Sequence, residues 1–376
     1  MTMSKLDDLI KKLCPNGVEF HSVEDVANVA RGVRVVRSQL ADQGSYPVFQ
    51  NSLTPMGYYE KQNCKADTAF VIAAGAAGEI GYSYSDFWAA DDCYFFKCSK
   101  ALSSRYLYHM LLWKQPFLKS RVRKASIPRL SRDHIEQLSI PVPPLPVQEE
   151  IVRILDSFTK LEAELEAELE ARRRQYEYYR DKLLNFNELD KAKSGGVKLI
   201  ALGEIADIGT GSSNTNEELI QGLYPFFVRS QEVRWKNSYE FDETAIITSG
   251  DGVGVGKVFH FVEGKYALHQ RAYRIHITDD AVFPKYFFHY MKTNFLVHIT
   301  KNAVHSSVTS IRRPMLEKFI VPVPSMEKQK RIVSILDRFD TLVNDLTSGL
   351  PAEIKARRQQ YEYYRDKLLT FSPLQG

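Results

Sequence analysis

Two glycine-rich segments combine residue types that could bind a nucleotide phosphate. The run SGDGVGVGKV at residues 249–258 is similar to a phosphate-binding loop, but Asp251 occupies the position of its first glycine. Val258 stands where a magnesium-binding Ser or Thr belongs. The run DIGTGSSN at residues 207–214 lacks the strand and helix that a dinucleotide site requires. Both runs are therefore more typical of glycine-rich turns.

A third segment could hold a metal ion for hydrolysis. Glu263 and Lys265 form the Glu-x-Lys pattern of metal-dependent nucleases, and Asp251 could add a carboxylate. However, VEGKY at residues 262–266 is typical of a tight hairpin turn. The nine histidines lack HxxxH or HExxH spacing, and no Asn-Pro-Pro or Asp-Pro-Pro motif for holding a flipped base is present. We predict no catalytic residue, no metal site and no cofactor for this chain.

Composition narrows the class of protein. The chain has 376 residues, of which 26% are charged and 44% hydrophobic, so two to three domains are expected. The four cysteines form no CxxC pair, which favours reduced, buried thiols. No apolar run of about 18 residues occurs and the first residues lack signal-peptide features. We expect a soluble, cytoplasmic protein.

The chain repeats itself. ARRRQYEYYRDKLLNF at residues 171–186 matches ARRQQYEYYRDKLLTF at residues 356–371 at 14 of 16 positions. Upstream, IPVPPLPVQEEIVRILDSF at residues 140–158 corresponds to VPVPSMEKQKRIVSILDRF at residues 321–339. The offset between the copies rises from 181 to 185, so the second copy contains four extra residues. The sequence predicts a tandem duplication, each half a divergent body followed by a similar tail.

Both tails predict long helices with apolar residues on alternating four- and three-residue steps, which is a heptad seam. About 38 residues would form a rod of roughly 55 Å. The four extra residues act as a stutter, and Gly349 and Pro351 should kink or break the second helix there. The predicted packing residues are Ile151, Leu155, Phe158, Leu165, Leu169, Tyr176, Tyr179, Leu183, Ile332, Leu336, Phe339, Leu346, Leu350, Tyr361, Tyr364 and Leu368.

The bodies predict mixed α and β structure. The β-branched and aromatic runs AFVIAA, CYFFKC, TAIITS and KVFHFV should be strands. One helix per body is expected, at residues 105–120 and 284–299. The order of elements is too irregular for a parallel βαβ array.

Positive charge is concentrated in the equivalent part of each body. Residues 100–132 contain nine Lys or Arg and no acid, and residues 281–316 contain five Lys or Arg, three His and no acid. A buried helix would explain part of this, but SRVRKASIPRLSR at residues 120–132 is too charged for a core. We therefore predict a surface for a polyanion in both bodies.

Taken together, the tail motifs resemble the conserved regions of specificity subunits of type I restriction-modification systems. The resemblance rests on PxPPxxxQxxI at residues 141–151, the ILDxF core, ARRxQYEYYRDKLL and GLPAEI at residues 349–354, and LCPNGVEF at residues 13–20 extends it to the start of the chain. The resemblance implies two target recognition domains that read a bipartite, asymmetric double-stranded DNA sequence. It also implies two modification subunits, which carry S-adenosylmethionine and methylate adenine, and ATP-driven restriction subunits.

The tandem repeat predicts an α+β fold in which two mixed α/β bodies are separated by two long antiparallel coiled-coil helices, with pseudo-two-fold symmetry. The resemblance implies that these bodies are target recognition domains. The expected boundaries are residues 1–145 for the first recognition domain, 146–186 for the central helix, 187–196 for a linker, 197–325 for the second recognition domain and 326–376 for the C-terminal helix. KSGGVKL at residues 193–199 departs from the family's entry motif, and the first tail lacks GLPAEI.

Family motifs do not identify the base-contacting residues, so these follow from side-chain chemistry. Basic and amide side chains on loops can reach base edges and phosphates. For the first body we predict DNA contacts by Arg31, Arg34, Gln50, Asn51, Arg121, Arg123, Lys124, Ser126 and Arg129. For the second body we predict Arg229, Ser230, Gln231, Lys257, Gln270, Arg271, His305, Ser306 and Arg312.

Two other classes remain open at this stage. One is a duplicated coiled-coil protein-protein scaffold with ligand-binding domains, which would show no salt-dependent DNA binding. The other is an autonomous endonuclease, which would cut plasmid DNA with magnesium alone.

Overall fold

The structure, a computed structural model, describes residues 2–186, 197–301 and 310–375, with side chains from residue 5 onward. The chain forms two compact units. Unit 1 comprises Met1–Glu166 and Glu353–Gly376, and unit 2 comprises Ala167–Ala352. No helix among the described residues is long and apolar enough to cross a membrane.

Within its described residues, unit 1 contains three small sheets and four helices of its own. The helices are α1 (Thr2–Leu13), α2 (Val23–Val26), α3 (Ser104–Ser120) and α4 (Asp133–Glu136). The strands are β1 (Phe20–Ser22), β2 (Ala27–Arg31), β3 (Tyr46–Phe49), β4 (Tyr58–Tyr59), β5 (Thr68–Ile72), β6 (Ile80–Ser83), β7 (Trp88–Ala89), β8 (Cys93–Cys98) and β9 (Ser139–Pro141). The largest sheet has the antiparallel order β2-β8-β5-β6; the others have the orders β4-β3-β7 and β1-β9.

Unit 2 repeats this plan with longer strands. After the 40-residue helix α5 (Leu145–Leu184), which begins in unit 1, come α6 (Leu202–Ile205), α7 (Pro284–Lys301), α8 (Arg313–Glu317) and α9 (Met326–Asn344). The last helix, α10 (Leu350–Leu369), returns the chain to unit 1. The strands are β10 (Lys198–Ala201), β11 (Ala206–Thr210), β12 (Tyr224–Phe227), β13 (Arg234–Lys236), β14 (Phe241–Ser249), β15 (Phe259–Leu268), β16 (Ala272–Ile277) and β17 (Ile320–Val323). Six strands form a sheet of order β11-β16-β14-β15-β12-β13, and β10 pairs with β17.

The four predicted strands and two predicted body helices are confirmed. Their apolar faces explain this, because Phe70, Ile72 and Phe95 in unit 1 and Ile246 and Phe259 in unit 2 are buried. The duplicated mixed α and β organisation is confirmed as well, since each body has a small sheet packed on one long helix.

The predicted hairpin turn at VEGKY is wrong. These residues lie inside β15 and pair with β14, with Gly264 opposite Glu243. Gly264 has a φ of 91°, so the glycine allows a local irregularity within a strand without ending it. Pairing with β14 outweighs the local preference for a turn.

In unit 1, the first half of α5 packs antiparallel on α10. Leu155 and Leu368 lie in the same core, and the ring of Phe158 stacks on Tyr364 with centroids 5.4 Å apart. Further along α5, Glu162 accepts a hydrogen bond from Arg358. Residue numbers rise along α5 as they fall along α10, which is the order of an antiparallel pair.

In unit 2, the second half of α5 packs antiparallel on α9. Tyr176 and Tyr179 both contact the ring of Phe339, with centroids 6.2 and 5.8 Å apart. One turn further, Leu183 packs in the core that contains Leu336. Of the other predicted packing residues, Ile151 and Ile332 are buried, Tyr361 packs on the unit 1 core, and Leu165, Leu169 and Leu350 are half-buried.

The second tail breaks where the extra residues predict. Helix α9 ends at Asn344 and α10 begins at Leu350. A side chain at Gly349 would collide with the carbonyl group of Thr341, so the tight connection requires glycine. The seam prediction fails at Leu346, whose side chain is 75% exposed because it lies in this connection and not on a helix.

Candidate nucleic-acid interface

Unit 1 gathers four loops into what we call loop cluster 1, comprising residues 50–51, 73–78, 90–92 and 121–130. The turn between β5 and β6 lies at its centre. The backbone amide of Ala73 donates to the carbonyl oxygen of Asp92 at 2.7 Å, and that of Leu130 donates to Ala73 at 2.8 Å. The amide of Ala76 donates to Asn51 at 2.9 Å. Backbone hydrogen bonds therefore fix all four loops.

Unit 2 builds an equivalent loop cluster 2 from residues 228–231, 250–258, 269–271 and 310–312. The amide of Gly250 donates to the carbonyl oxygen of Arg271 at 2.9 Å, as Ala73 does to Asp92. The amide of Ile311 donates to Gly250 at 2.9 Å, as Leu130 does to Ala73. The two clusters thus share their backbone scaffold.

The side chains at equivalent positions of the two clusters differ in chemistry. Isolated β-bridges join Ala74 to Arg129 and Asp251 to Ser310, which makes Ala74 and Asp251 equivalent. Asn51 and Arg229 both lie two residues after the aligned strands β3 and β12. Asp92 in unit 1 corresponds to Arg271 in unit 2. A conserved scaffold with exchanged polar groups is the arrangement expected of two surfaces that bind different ligands of one class.

Most of the predicted DNA contacts of the first body lie in or beside loop cluster 1. Arg123 and Arg129 exchange backbone hydrogen bonds of 2.8 and 3.2 Å, so the segment between them is a small exposed hairpin that carries Lys124 and Ser126. Arg31 donates from Nε to the carbonyl oxygen of Asp91 at 2.8 Å. The others are Gln50 and Asn51 in the cluster, Arg121 with its guanidinium 4.9 Å from the ring of Phe117, and Arg34 in the exposed loop after β2.

In the second body, Arg229 and Arg271 lie together although 42 positions separate them in the sequence. Nη1 of Arg229 lies 2.7 Å from one carboxylate oxygen of Asp251, and Nη1 of Arg271 lies 3.4 Å from the other. Ser230 donates to the carbonyl oxygen of Glu232 at 3.0 Å. The remaining predicted residues are Gln231, Lys257 and Arg312, all exposed, Gln270, which donates to Asn214, and His305 and Ser306, which lie outside the described residues.

The sequence did not predict that Asp251 would pair with two arginines. Partial burial acts to raise the pKa of Asp251, but the hydrogen bond from Arg229 and the charges of Arg229 and Arg271 outweigh it and lower the pKa. The group is therefore a carboxylate at neutral pH, bound to two arginines. No local pattern indicates this, because the partners lie 22 and 20 positions away.

The nuclease interpretation of this region gains no geometric support. The ammonium group of Lys265 lies 4.6 Å from the ring centroid of Tyr239, and the carboxylate of Asp251 binds the two arginines. Among the described residues, no group of three or more His, Cys, Asp or Glu side chains could hold a metal ion.

A buried glutamine holds each body against its helix. In unit 1, the Gln148 amide donates to the carbonyl oxygens of Ala101 and Pro143 at 2.8 and 2.7 Å and accepts from the Ser103 amide at 2.8 Å. Gln329 makes the three equivalent bonds in unit 2. These are the glutamines of the PxPPxxxQxxI motif and its repeat. The motif therefore orients the body, and with it the loop cluster, on the helix.

A histidine–aspartate pair reinforces each of these joints. Nε2 of His109 lies 2.8 Å from Asp156, and Nε2 of His289 lies 2.8 Å from Asp337. Burial lowers the pKa of both histidines despite the neighbouring carboxylates. We interpret both rings as neutral donors to aspartate at neutral pH, which gives them a structural role.

The two loop clusters share one backbone scaffold but carry different side chains, and each is oriented on a coiled-coil helix. This arrangement is that of a duplicated recognition module. The model of the type I restriction modification DNA specificity domain matches residues 15–171 and again residues 195–356. The chain therefore belongs to this family, whose members are the non-catalytic specificity subunits of type I restriction-modification systems.

Individual relatives agree with this assignment. The chain is 31% identical to the putative type I restriction enzyme specificity subunit S.HindORF215P of Haemophilus influenzae, over 97% of this chain and 98% of the relative. It is 35% identical to the EcoR124I/EcoR124II specificity subunit of Escherichia coli, over 62% of this chain and 64% of that protein.

Solved structures show the same fold. The S subunit of a type I restriction-modification system from M. genitalium aligns with a TM-score of 0.69 at 16% identity, over 94% of this chain and 96% of that one. A chain from a study of complex assembly and conformational transition of the type I R-M system aligns with a TM-score of 0.56 at 14% identity, over 94% and 98%.

Proposed function

We propose that this chain recognises a bipartite, asymmetric DNA sequence, with each loop cluster reading one half. The observation that carries the proposal is the shared backbone scaffold with exchanged side chains, Asn51 and Ala74 in one unit against Arg229 and Asp251 in the other. Amide side chains suit adenine and guanidinium groups suit guanine in the major groove. Two surfaces of this kind would bind two different half-sites.

The basic hairpin of loop cluster 1 would supply phosphate contacts. Arg123, Lys124 and Arg129 are exposed, and no acidic residue occurs between residues 100 and 132. Contacts to phosphate set affinity and register, and contacts to base edges set specificity. On this proposal, residues 1–145 and 197–325 are the two target recognition domains, residues 146–186 and 326–376 are the helices that carry them, and residues 187–196 are the linker.

The proposed partners are two modification subunits and the restriction subunits of a type I complex, acting on DNA in the cytoplasm. Support comes from the repeated tails, which present the same exposed group twice. Tyr178 and Tyr363 are 60% and 63% exposed. Each makes an edge contact with the following tyrosine, at 5.4 Å and 74° in one copy and 5.3 Å and 75° in the other. Exposed tyrosines are common anchors of protein interfaces, and equivalent anchors suit two copies of one partner.

Replacing both exposed tyrosines should weaken assembly without unfolding the chain. The double variant Tyr178→Ala/Tyr363→Ala is expected to lower the affinity for each modification subunit by about fivefold or more, since each subunit loses one buried interface tyrosine that contributes above about 1 kcal/mol. Titration calorimetry or analytical ultracentrifugation would measure it. The neighbouring exposed pair Glu177→Ala/Glu362→Ala is the matched control. If the tyrosine variant binds modification subunits with wild-type affinity, the surface around Tyr178 and Tyr363 is not their binding site.

The function is tested by mapping methylated adenines in a genome whose cells express this chain with its modification subunits. We expect one motif made of two different half-sites separated by an unspecified spacer. A contiguous palindromic motif, or methylation without sequence preference, would contradict the proposal.

A further inference from the structure

We propose that Asp251 is a positioning residue for sequence recognition, holding Arg229 and Arg271 as a rigid pair that reads guanine in the half-site of unit 2. This inference rests on the proposed function and names one of its specificity determinants. The two ion pairs occupy both carboxylate oxygens, at 2.7 and 3.4 Å. The carboxylate side chain is 29% exposed, against 41% for Arg229 and 61% for Arg271, so the acid lies beneath the two guanidinium groups.

The glycine-rich loop is shaped to place Asp251 between these arginines. A Cβ at Gly250 would lie 2.6 Å from the carbonyl oxygen of Arg271, and one at Gly254 would lie 2.7 Å from that of Arg229. Only glycine fits such close approaches between backbones. The glycines of the run that resembles a phosphate loop therefore serve to bring one loop against the backbones of the two arginines.

The backbone around Asp251 is itself fixed. The Ser249 hydroxyl donates to the carbonyl oxygen of Asp251 at 2.8 Å, and an isolated bridge joins Asp251 to Ser310. The Ile311 amide donates to Gly250 at 2.9 Å. Gly252 has a φ of 80°, which turns the chain directly after the aspartate. These contacts fix the Cα of Asp251 and so limit the positions that its carboxylate can reach.

Pairing with a carboxylate favours base reading over phosphate binding. Asp251 cancels one of the two positive charges, which reduces the electrostatic attraction that phosphate contacts depend on. Each arginine donates through Nη1, and the described residues show no further side-chain hydrogen bond for its other two nitrogens. A guanidinium held in one orientation with free N–H groups suits the paired acceptors O6 and N7 of guanine.

Loop cluster 1 cannot form the same pair. Its equivalent residues are Ala74 for Asp251, Asn51 for Arg229 and Asp92 for Arg271. The proposed role is therefore specific to unit 2, and a variant of Asp251 should affect one half-site only.

The test uses the complex of the full chain with its modification subunits and duplexes carrying the motif found by methylation mapping. Each guanine of both half-sites is replaced in turn, and binding to these duplexes and to a random duplex is titrated at two salt concentrations. For Asp251→Asn we expect about tenfold or greater loss of discrimination at guanine in one half-site, with random-duplex affinity not reduced. Arg229→Lys should give the same loss, because it retains the charge but not the planar fork.

The charge-matched control is Asp207→Asn, which removes a different arginine partner, that of Arg274 in the sheet of unit 2. It should keep wild-type discrimination. The inference is overturned if either Asp251→Asn or Arg229→Lys retains wild-type discrimination at every guanine, or if specific and random binding fall together. Absence of sequence preference in the wild-type complex would instead overturn the proposed function, and that result is obtained before any variant is made.

Discussion

Replacing Gly211 by alanine is expected to destabilise unit 2 by about 3 kcal/mol, which is the upper end of the usual range for steric overlap in a packed site. Gly211 directly follows β11, and a Cβ there would overlap the carbonyl group of Leu268 at the end of β15. The neighbouring atoms are backbone atoms and cannot move aside as a flexible side chain would. The duplication supports this reading, because Gly32 holds the same place after β2 and faces the carbonyl groups of Ala89 and Ala90.

The matched control is Gly209, which lies two residues earlier, inside β11. A Cβ at Gly209 would lie 3.5 Å from Nε of Arg274, an ordinary van der Waals distance. Chemical unfolding of full-length Gly211→Ala and Gly209→Ala chains, followed by circular dichroism, would compare them. Equal stability of the two variants would show that this part of unit 2 relaxes around the added methyl group.

Reversing two charges of the unit 1 hairpin should strongly reduce the affinity for DNA. For Arg123→Glu/Lys124→Glu we expect about a hundredfold weaker binding of duplex DNA near 0.15 M salt, because two phosphate contacts become repulsive. The dependence of log K on log salt should also become shallower by about two, close to one for each lost contact. Titration of a labelled duplex with the reconstituted complex, at several salt concentrations, would measure both quantities.

Lys11→Glu/Lys12→Glu gives the same change in net charge at exposed positions of α1, away from loop cluster 1 in the sequence. It should leave affinity and salt slope within twofold of wild type. If both double variants weaken DNA binding equally, the net charge of the chain accounts for the effect, and the hairpin has no specific role in DNA binding.

The sequence predicted those parts of the fold that depend on repetition and periodicity. The heptad seam places Leu155 and Leu336 in buried cores because helical spacing is a property of neighbouring residues. The prediction fails at Leu346, where the same period continues into a connection that is not helical. A second prediction, the hairpin turn around Gly264, fails because strand pairing across the sheet overrides a local turn signal.

The candidate site was predictable as a set of residue types but not as an arrangement. Basic and amide residues predicted segments for DNA contact, and most of these segments lie in or beside the two loop clusters. The meeting of Arg229, Arg271 and Asp251 depends on three loops that are distant in the sequence, and periodicity carries no information on such contacts. The two bodies share backbone hydrogen bonds more than they share residues, so their sequences alone do not reveal which side chains are equivalent.

The two loop clusters are held together by main-chain hydrogen bonds, which bears on how a protein of this kind could change its DNA target. The loops are tied together by amide and carbonyl groups, which every residue except proline supplies. Outward-facing side chains of the loops can therefore be exchanged at little cost to folding. On the proposed function, a substitution there would change which bases are bound without destabilising the scaffold. If the loop clusters read DNA as proposed, new target preferences require few substitutions, at positions such as Asn51 and Arg229.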